Sequence, residues 1–326
     1  LNSILFKFFE IVNKTNGFLP EYLRAFPITL IRIWRNRFLS AKIFFIVGSK
    51  LQSISINFLC EPYSIGNFYG PSLRKHVIKT SRPLFYLIKR GTKANTLDQG
   101  LKQQAIDSGV KIIWNDRVQH ARYRTTIIGT GPKAADVIAK GITFRTSHPD
   151  ACSGFLNNNI APKGYAYLLV NKGQATFATI LYEDFQKTQI YFQQALETMK
   201  RVVDIDIKEA NEFGGYGNFI LNQDTNNKDV LIIGEAAGFQ DALWGFGLRY
   251  AMYSGYLAAK SILTAESYSQ MCDQKIRPIM ETSLANRWLF AHLGNYGYDK
   301  VLKIVSKRTD IIEALSRQHS PNCLRD

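Results

Sequence analysis

One segment constrains the fold more than any other part of the chain: VLIIGEAAGFQDALWGFGLRYAMYSGYLAAKSIL, residues 230–263. A short apolar run ends in a glycine, an acidic residue and three small residues follow, and two further glycines precede a helical pattern. This order predicts a buried strand, a turn and a helix, the arrangement found at the ligand-binding edge of open α/β sheets. With 326 residues and 46% hydrophobic content, the chain can bury the core that such a fold needs.

The residues of this segment indicate a site for a large anionic ligand. Glu235 supplies an acceptor carboxylate, and the small residues 236–238 leave the backbone accessible to a ligand. Gly245 and Gly247 precede a helix predicted to begin near Leu248, whose free amides and positive dipole end favour a negative charge. Tight packing between the strand and the helix is an alternative reason for the same small residues.

The rest of the sequence alternates between strand and helix patterns. Residues 95–109 predict an amphipathic helix capped by Asn95, and residues 183–205 predict a longer one. Residues 61–72, rich in Gly, Pro and Ser, predict a loop. Further predictions are helices of mixed quality within 1–50, strands at 53–59, 84–91, 110–115, 118–123, 125–131 and 229–234, a β-rich region at 142–181, and helices after 248.

The charge balance admits several classes of partner. Lysine and arginine outnumber aspartate and glutamate 41 to 26, which gives a formal net charge of +15. Anionic ligands, nucleic acid and an anionic membrane surface are all compatible with this charge. Because the basic residues are scattered and no recognition motif occurs, we expect no nucleic-acid partner.

Metal chemistry is not expected, and no transmembrane span is predicted. The four cysteines lie far apart without a CxxC pair, and the five histidines lack metal-ligand spacing. The cysteine pattern favours a reducing compartment, so we predict a cytoplasmic protein. Charged residues interrupt every apolar run before it reaches the roughly 18 residues of a membrane span, so any contact with an anionic membrane would be peripheral.

The segment GEAAGFQDALWGFGLRYAMYSG resembles the FAD-contacting segment of the geranylgeranyl reductase family, within the p-hydroxybenzoate hydroxylase-like flavoproteins. That family writes it roughly as G-D-A-A-G-x-x-x-P-x-x-G-x-G-(I/M)-x-x-A-(M/L)-x-S-G. Glu235 stands where Asp is usual, and Ala242 or Leu243 where Pro is common. The resemblance implies FAD contacts at Gly234, Glu235, Ala236, Gly238, Asp241, Gly245, Phe246, Gly247 and Leu248.

Two further stretches extend the resemblance on the cofactor side. Residues 87–112 are similar to the R-x-x-L-D-x-x-L helix of the family, which implies that Arg90 approaches the flavin or its diphosphate and that Asp98 fixes the helix. A capped surface helix is the alternative. Residues 125–137 are similar to the returning A-T-G strand, which implies that Gly129, Thr130 and Gly131 pass close to the diphosphate.

A third stretch concerns the substrate side. Residues 161–173 are similar to the Y-x-W-x-F-P segment of the family; Tyr165 matches, whereas Tyr167, Leu169 and Val170 depart from it. We predict that aromatic side chains line the substrate side, with core packing as the alternative. The predicted lining residues are Tyr165, Tyr167, Phe213, Tyr216, Phe219 and Trp244.

A competing motif and a missing motif qualify the resemblance. GTGPKA, residues 129–134, satisfies G-x-G-x-x-A, and Asp150 lies about 20 residues further on, as in nicotinamide-binding fingerprints. Only residues 134–140 could form the required helix, which argues against that interpretation. The opening strand, G-x-G-x-x-G and helix of the flavoproteins are missing from residues 1–83. Either the sequence lacks its natural beginning, which the initial Leu favours, or the chain is a degenerate relative that binds FAD poorly.

The expected architecture is a mixed α/β fold, with an incomplete FAD-binding Rossmann-like domain, a β-rich substrate-domain insertion and a C-terminal helical region. The predicted units are an N-terminal segment (1–60), part of the FAD-binding domain (61–141), the β-rich substrate domain (142–225), the return to the FAD-binding domain (226–264) and the C-terminal helices (265–326).

The resemblance implies an FAD-dependent oxidoreductase that reduces carbon–carbon double bonds of an isoprenoid or lipid-like substrate. NAD(P)H or ferredoxin would supply the electrons, and the substrate would be an apolar small molecule or an isoprenoid lipid. Two alternatives stay open. One is a flavin-dependent monooxygenase on the same scaffold, and the other is a ligand-binding relative that has lost catalysis.

Overall fold

The computed structural model describes residues 44–46, 60–80, 83, 85–114, 125–219 and 229–307. Most of the region 1–50, predicted to be helical, and the strands predicted at 53–59 and 118–123 lie outside these residues. At residues 44–46 the helix prediction is wrong, because these residues form a short strand that pairs with residues 86–88. The described residues form three β-sheets and five α-helices. The fold is therefore mixed α/β, as the sequence predicts.

The largest sheet has seven strands in the order β11-β7-β10-β9-β8-β3-β4. Neighbouring strands are antiparallel except for β3 and β8, which run parallel. The strands are β3 (Ile65–Tyr69), β4 (Lys75–Lys79), β7 (Val137–Arg145), β8 (Ala151–Phe155), β9 (Tyr165–Asn171), β10 (Gln174–Leu181) and β11 (Lys208–Gly217).

Helix α2, Thr188–Val202, covers one face of this sheet, and a single 3-10 turn at Phe185–Lys187 leads into it. Phe177 points from β10 towards this helix and packs in one buried cluster with Phe192 and Met199. Ile180 points the other way, into a cluster that contains Tyr165 and Phe290. The alternation along β10 is the period of two expected for a strand covered on both faces.

A second sheet is antiparallel, in the order β1-β5-β2. Its strands are β1 (Phe44–Ile46), β2 (Cys60–Tyr63) and β5 (Phe85–Ile88). Helix α1, Leu97–Asp107, follows β5. Thr96 caps this helix through its side chain, which accepts a hydrogen bond from the backbone N–H of Gln99 at 3.4 Å. The predicted helix is confirmed, but the predicted cap is wrong: Asn95 precedes the cap, in the left-handed conformation.

The third sheet pairs two short parallel strands, β6 (Thr126–Ile128) and β12 (Val230–Ile232). Three helices follow β12. They are α3 (Leu248–Thr264), α4 (Tyr268–Lys275) and α5 (Arg277–Val305), and α5 is kinked at Gly294, where φ is 60° and ψ is −179°. Buried Leu231, Leu257 and Met271 belong to one cluster, which fastens the parallel strands to α3 and α4.

Two regions differ from the sequence prediction. Residues 61–72 were expected to form a loop, but they contribute β2 and β3, because both strands find partners distant in sequence. Residues 110–114 were expected to begin a strand and instead form an irregular segment.

The predicted unit boundaries do not follow the sheets. Residues 61–141 contribute strands to all three sheets, and β7 crosses the boundary drawn at 141/142. Since β3 and β4 belong to the seven-stranded sheet, the substrate-side sheet draws strands from before the region 142–225 as well as from within it.

Candidate cofactor and substrate site

Strands β6 and β12 end at the same edge of their sheet, and each is followed by a glycine turn. Ile128 pairs with Ile232, and the N–H of Ile233 donates to the Ile128 carbonyl at 2.9 Å. Beyond β6, Gly129 and Thr130 are exposed, and nothing lies within 4 Å of the position that a Cβ would take on Gly131. This edge therefore presents open backbone to which a large ligand could come close.

The turn after β12 is shaped by packing against α3. Gly234 adopts φ of +58° and donates its N–H to the Ser254 hydroxyl at 2.9 Å. A Cβ on Gly234 would lie 3.1 Å from the Cβ of Ala251. Residues Gly234–Ala237 then form a single 3-10 turn that ends at Gly238, and Ala236 is buried. The small residues of GEAAG thus have a packing role as well as the ligand role that the sequence predicts.

Glu235 faces the N-terminus of α3. Its Oε1 lies 2.8 Å from the position that a Cβ would take on Gly247, the N-terminal cap of that helix. A carboxylate is favourable there because of the helix dipole and the free amides of the first turn. Glu235 and Gly247, at both of which the resemblance implies FAD contacts, therefore lie next to each other.

Asp241 organises the loop between the 3-10 turn and α3. Its carboxylate accepts hydrogen bonds from the Trp244 N–H at 2.6 Å and from the Ser283 hydroxyl. The Asp241 N–H donates to the Phe246 carbonyl at 3.1 Å, and the Gly245 N–H donates to the Asp241 carbonyl at 2.9 Å. Burial raises the pKa of Asp241. Both carboxylate oxygens of Asp241 are thus used in hydrogen bonds that hold the loop. Asp241 can therefore contribute to cofactor binding by fixing the conformation of the backbone.

Gln240 and Asn218 bring buried polar atoms to this loop. Gln240 Nε2 donates to the Gly245 carbonyl at 2.8 Å, whereas Gln240 Oε1 is buried without a hydrogen-bond partner. The Gln240 amide lies against Gly217 at the end of β11, with Oε1 2.2 Å from the position of an added Cβ. The next residue, Asn218, is fully buried, and both polar atoms of its side chain lack partners. Neither residue was predicted from the sequence.

Arg287 of α5 fixes the same loop from the other side. Its guanidinium is buried over the Tyr182 ring, 4.1 Å from the ring centroid, and 4.5 Å from that of Phe290. It donates to the carbonyl of Leu243 at 3.3 Å and to that of Lys163. Arg287 and Ser283 were not predicted as site residues, although their spacing of four on an otherwise apolar helix face indicates that both point inward.

The predicted aromatic lining is brought together only in part. Tyr165 donates its hydroxyl to the Trp244 carbonyl, and the two rings pack edge to face with centroids 5.1 Å apart. Tyr167, Phe219 and Tyr182 join the same cluster. Burial raises the pKa of the Tyr165 and Tyr167 hydroxyls, which keeps both protonated.

Two residues of the predicted lining lie elsewhere, on β11. Tyr216 is 57% exposed, so it is not part of a buried lining. Phe213 lies against Gly141 of the neighbouring strand, with its ring 2.6 Å from the position of an added Cβ. β11 contains three glycines and has no clear apolar alternation, so its sequence does not indicate which side chains point inward.

Arg90 is held at the end of β5. It forms a two-pronged ion pair with Asp98, with both N–O distances 2.7 Å, and the Gly91 N–H donates to the same carboxylate at 2.7 Å. Ile88 and Leu97 pack with Leu248 in one buried cluster. This packing fastens the β5–α1 unit to the first residue of α3, where the sequence predicts the cofactor contacts.

The nicotinamide-type interpretation of residues 129–134 is wrong. That fingerprint needs a helix directly after its glycines. Here the chain passes instead into β7, which begins at Val137.

The described ranges contain no group of three His, Cys, Asp or Glu side chains placed to hold a metal ion. Among the helices described, none is long and apolar enough to cross a membrane.

The sequence matches no known protein-family profile. A curated relative, the digeranylgeranylglycerophospholipid reductase of Methanosphaerula palustris, is 31% identical over 110 residues, which cover 32% of this chain and 27% of the relative. The match thus spans about a quarter of the relative's length.

Solved structures share the fold. A geranylgeranyl bacteriochlorophyll reductase-like protein from Thermoplasma acidophilum superposes with a TM-score of 0.58 at 16% identity, covering 81% of this chain and 82% of that chain. A probable FAD-dependent monooxygenase from Pseudomonas aeruginosa gives a TM-score of 0.53 at 11% identity, covering 79% of this chain and 84% of that one. The predicted mixed α/β fold and the predicted resemblance to geranylgeranyl reductase-like flavoproteins are confirmed.

Proposed function

We propose that this chain belongs to an FAD-dependent oxidoreductase that reduces carbon–carbon double bonds of an isoprenoid or lipid-like substrate. The observation that carries the proposal is that β6 and β12 end at the same edge of their sheet. The glycine turns that follow them lie side by side there, next to the N-terminus of α3. The names of the relatives, a phospholipid reductase and a reductase-like protein, support the reaction class.

The residues at this edge fit the diphosphate part of FAD. Gly131 has φ of +86° with open space beside it, and Gly129 and Thr130 are exposed, so an anionic group can come close to this backbone. Arg90, fixed by Asp98, would add positive charge. When bound, FAD would supply the hydride transfer, and the protein would supply binding and orientation.

The N-terminus of α3 would face the flavin ring. The amides near Gly247 and Leu248 would donate hydrogen bonds to the edge of the ring, and Glu235, at the same helix end, would accept hydrogen bonds from ligand hydroxyls. Asp241, Ser283 and Arg287 would orient the loop that carries these groups. NAD(P)H or ferredoxin remains the predicted electron donor.

The substrate would lie on the side of the buried aromatic cluster. Tyr165, Tyr167 and Trp244 offer an apolar surface next to the loop that precedes α3. The Tyr165 and Tyr182 hydroxyls already donate to the Trp244 and Leu243 carbonyls, so both serve to position the loop. This lining suits an apolar chain better than a polar substrate.

A charge placed at the glycine edge tests the cofactor site. FAD is titrated into the purified chain and followed by visible absorption and by quenching of flavin fluorescence. In T130E, a carboxylate on the exposed Thr130 would repel the diphosphate, and we expect FAD affinity to fall by at least about ten-fold. The matched control is Q193E, which adds the same charge on the exposed face of α2, beyond the large sheet.

The outcomes separate the alternatives. Equal loss in both variants, or no loss in T130E, would contradict the placement of the diphosphate. A wild-type chain that ignores FAD would contradict FAD binding by this chain alone, and the same titration of a longer protein that carries a G-x-G-x-x-G segment would separate loss of that segment from the ligand-binding alternative. If FAD binds, the bound flavin is first reduced without oxygen. Polyprenyl lipid added afterwards should reoxidise the flavin, and its double bonds should become saturated. Turnover that requires oxygen would instead favour a monooxygenase.

A further inference from the structure

We propose that the exposed side of α5 docks on an anionic lipid bilayer. This α5 surface consists of Trp288, His292, Tyr296, Lys300, Lys303, Ile304 and Lys307. The proposal is independent of flavin binding, because the surface carries no residue of the candidate cofactor site.

The two sides of α5 differ in chemistry. One side packs into the protein through Phe290, Tyr298 and Leu302, which are all at most 2% exposed. The other side carries the α5 surface, with Trp288 65% exposed and Tyr296 75% exposed. Apart from the adjacent Lys303 and Ile304, its residues follow one another at intervals of three or four, and the last, Lys307, lies just beyond the end of the helix. The α5 surface includes residues on both sides of the kink at Gly294, and the buried rings on its two sides pack together, with the Phe290 and Tyr298 centroids 4.8 Å apart.

The exposed rings are held by neighbours along the helix. The Trp288 ring lies 4.3 Å from that of His292, whose Nδ1 donates to the Trp288 carbonyl at 2.6 Å. The Nζ of Lys300 lies over the Tyr296 ring, 4.0 Å from its centroid. The helix therefore presents ordered amphipathic rings to the solvent. Trp and Tyr in this state are enriched where an apolar phase meets water.

The charge of the α5 surface complements an anionic membrane. Lys300, Lys303 and Lys307 are exposed near the end of the helix. The nearest acid on this part of the helix, Asp299, accepts hydrogen bonds from the Ser72 N–H at 3.2 Å and hydroxyl at 2.9 Å, so its charge is partly engaged. Exposed Glu281 lies about two turns before Trp288. Aromatic rings flanked by lysines are typical of helices that lie in a membrane interface.

This chemistry favours a bilayer over a protein partner. Lysine is depleted at the core of protein–protein interfaces because its charge must be desolvated there. At a bilayer, the lysine stems can extend to phosphate groups while the rings enter the headgroup layer.

Vesicle sedimentation tests the proposal. The full chain is sedimented with vesicles of phosphatidylcholine alone and with equimolar phosphatidylcholine and phosphatidylserine, and binding is expected only to the latter at low salt. The double variant W288S/Y296S should lose most of this binding. The triple variant K300Q/K303Q/K307Q should weaken binding by about five-fold for each lysine removed.

The matched control is W114S. Trp114 is 50% exposed and also has a lysine over its ring, with the Lys102 Nζ at 5.2 Å, but it lies outside the α5 surface. Unchanged vesicle binding in W114S together with loss in W288S/Y296S would support the proposal. Wild-type chain that stays in the supernatant, or W288S/Y296S that still sediments, would overturn it.

Light scattering of the same samples tests whether a second copy of the chain covers the α5 surface. A wild-type dimer that becomes monomeric in W288S/Y296S without lipid would mean that another copy covers this surface, which also overturns the proposal. FAD titration of the variants should give wild-type affinity, so failure here and failure of the proposed function are distinguishable.

Discussion

The carboxylate of Glu235 lies over Gly247, with Oε1 2.8 Å and Cδ 3.4 Å from the position that a Cβ would take on that glycine. Real Cβ atoms do not approach oxygen so closely, so a side chain at residue 247 would displace the Glu235 carboxylate whether or not a ligand binds. A substitution at Gly247 that lowers flavin binding consequently does not by itself identify a flavin contact.

A double variant separates these two causes. G247A should lower the free energy of unfolding by about 1 kcal/mol, because the new methyl group displaces the flexible end of the partly buried Glu235. In G247A/E235A the collision is absent, so the double variant should be more stable than the sum of the two single changes predicts. Urea unfolding of all four proteins measures this coupling. Purely additive losses would contradict the close approach of the two residues.

Asp241 should make stability fall as the pH rises. Burial raises the pKa of its carboxyl, although hydrogen bonds from Ser283 and Trp244 favour the charged form. The folded protein therefore holds this proton at pH values where the unfolded chain has released it. Asp241 thus stabilises the fold most fully below its ordinary pKa of about 4, and this contribution is lost as the pH rises through the folded pKa.

The variant D241N cannot titrate and isolates this effect. The stability advantage of the wild type over D241N should shrink as the pH rises from about 4, with the window set by the raised pKa. Urea unfolding of both proteins over a pH series provides the measurement. If the stability advantage of the wild type over D241N grew with pH instead, the hydrogen bonds to the charged carboxylate would outweigh its burial, and the predicted raised pKa would be wrong.

The sequence predicted the local parts of this fold well. In β9 and β10, and at the beginning of α3, neighbouring residues determine the structure, and the prediction is confirmed. At α1 the helix is confirmed, but its cap is Thr96 instead of the predicted Asn95. The loop predicted at residues 61–72 was wrong. Pro62, Gly66 and Gly70 locally favour a loop, but β3 forms because it pairs with β8, far along the chain. Non-local pairing overrides such local preferences.

The candidate site shows the same division. The glycine turns after β6 and β12 lie within one segment each, and sequence patterns find them. The loop before α3 depends on Ser283 and Arg287, which α5 brings to Asp241 and Leu243 from a distant part of the chain. Tyr216 was misplaced for a related reason, since a glycine-rich strand does not specify which of its faces is buried.

Asp98 should have the opposite pH dependence from Asp241. Burial alone would raise the pKa of Asp98. The hydrogen bonds and charge of Arg90, together with the Gly91 N–H, lower it by more than burial raises it, so the pKa lies below its ordinary value. Its contribution is therefore present above the ordinary pKa and is lost as the pH falls through the folded pKa. Both partners are partly exposed, so D98N should cost only about 1 kcal/mol near neutral pH.

Comparing two pH values tests this role. D98N and wild type should differ in urea unfolding near neutral pH and converge in acid. If Arg90 contacts the cofactor as proposed, D98N should also weaken FAD binding, since the guanidinium is no longer fixed. Equal FAD affinity with reduced stability would assign Asp98 to helix capping alone.

Arg287 should contribute more to stability than an ordinary surface arginine. Its guanidinium stacks on Tyr182 and bridges the carbonyls of Leu243 and Lys163 while buried, and the ammonium of lysine cannot reproduce a planar bridge. R287K should therefore lower the free energy of unfolding by about 1–3 kcal/mol. Arg277 is the matched control, because its ion pair with Asp273 is exposed and R277K should change stability by less than about 0.5 kcal/mol. Equal effects of the two substitutions would mean that the bridge to the loop before α3 adds nothing to the stability of the fold.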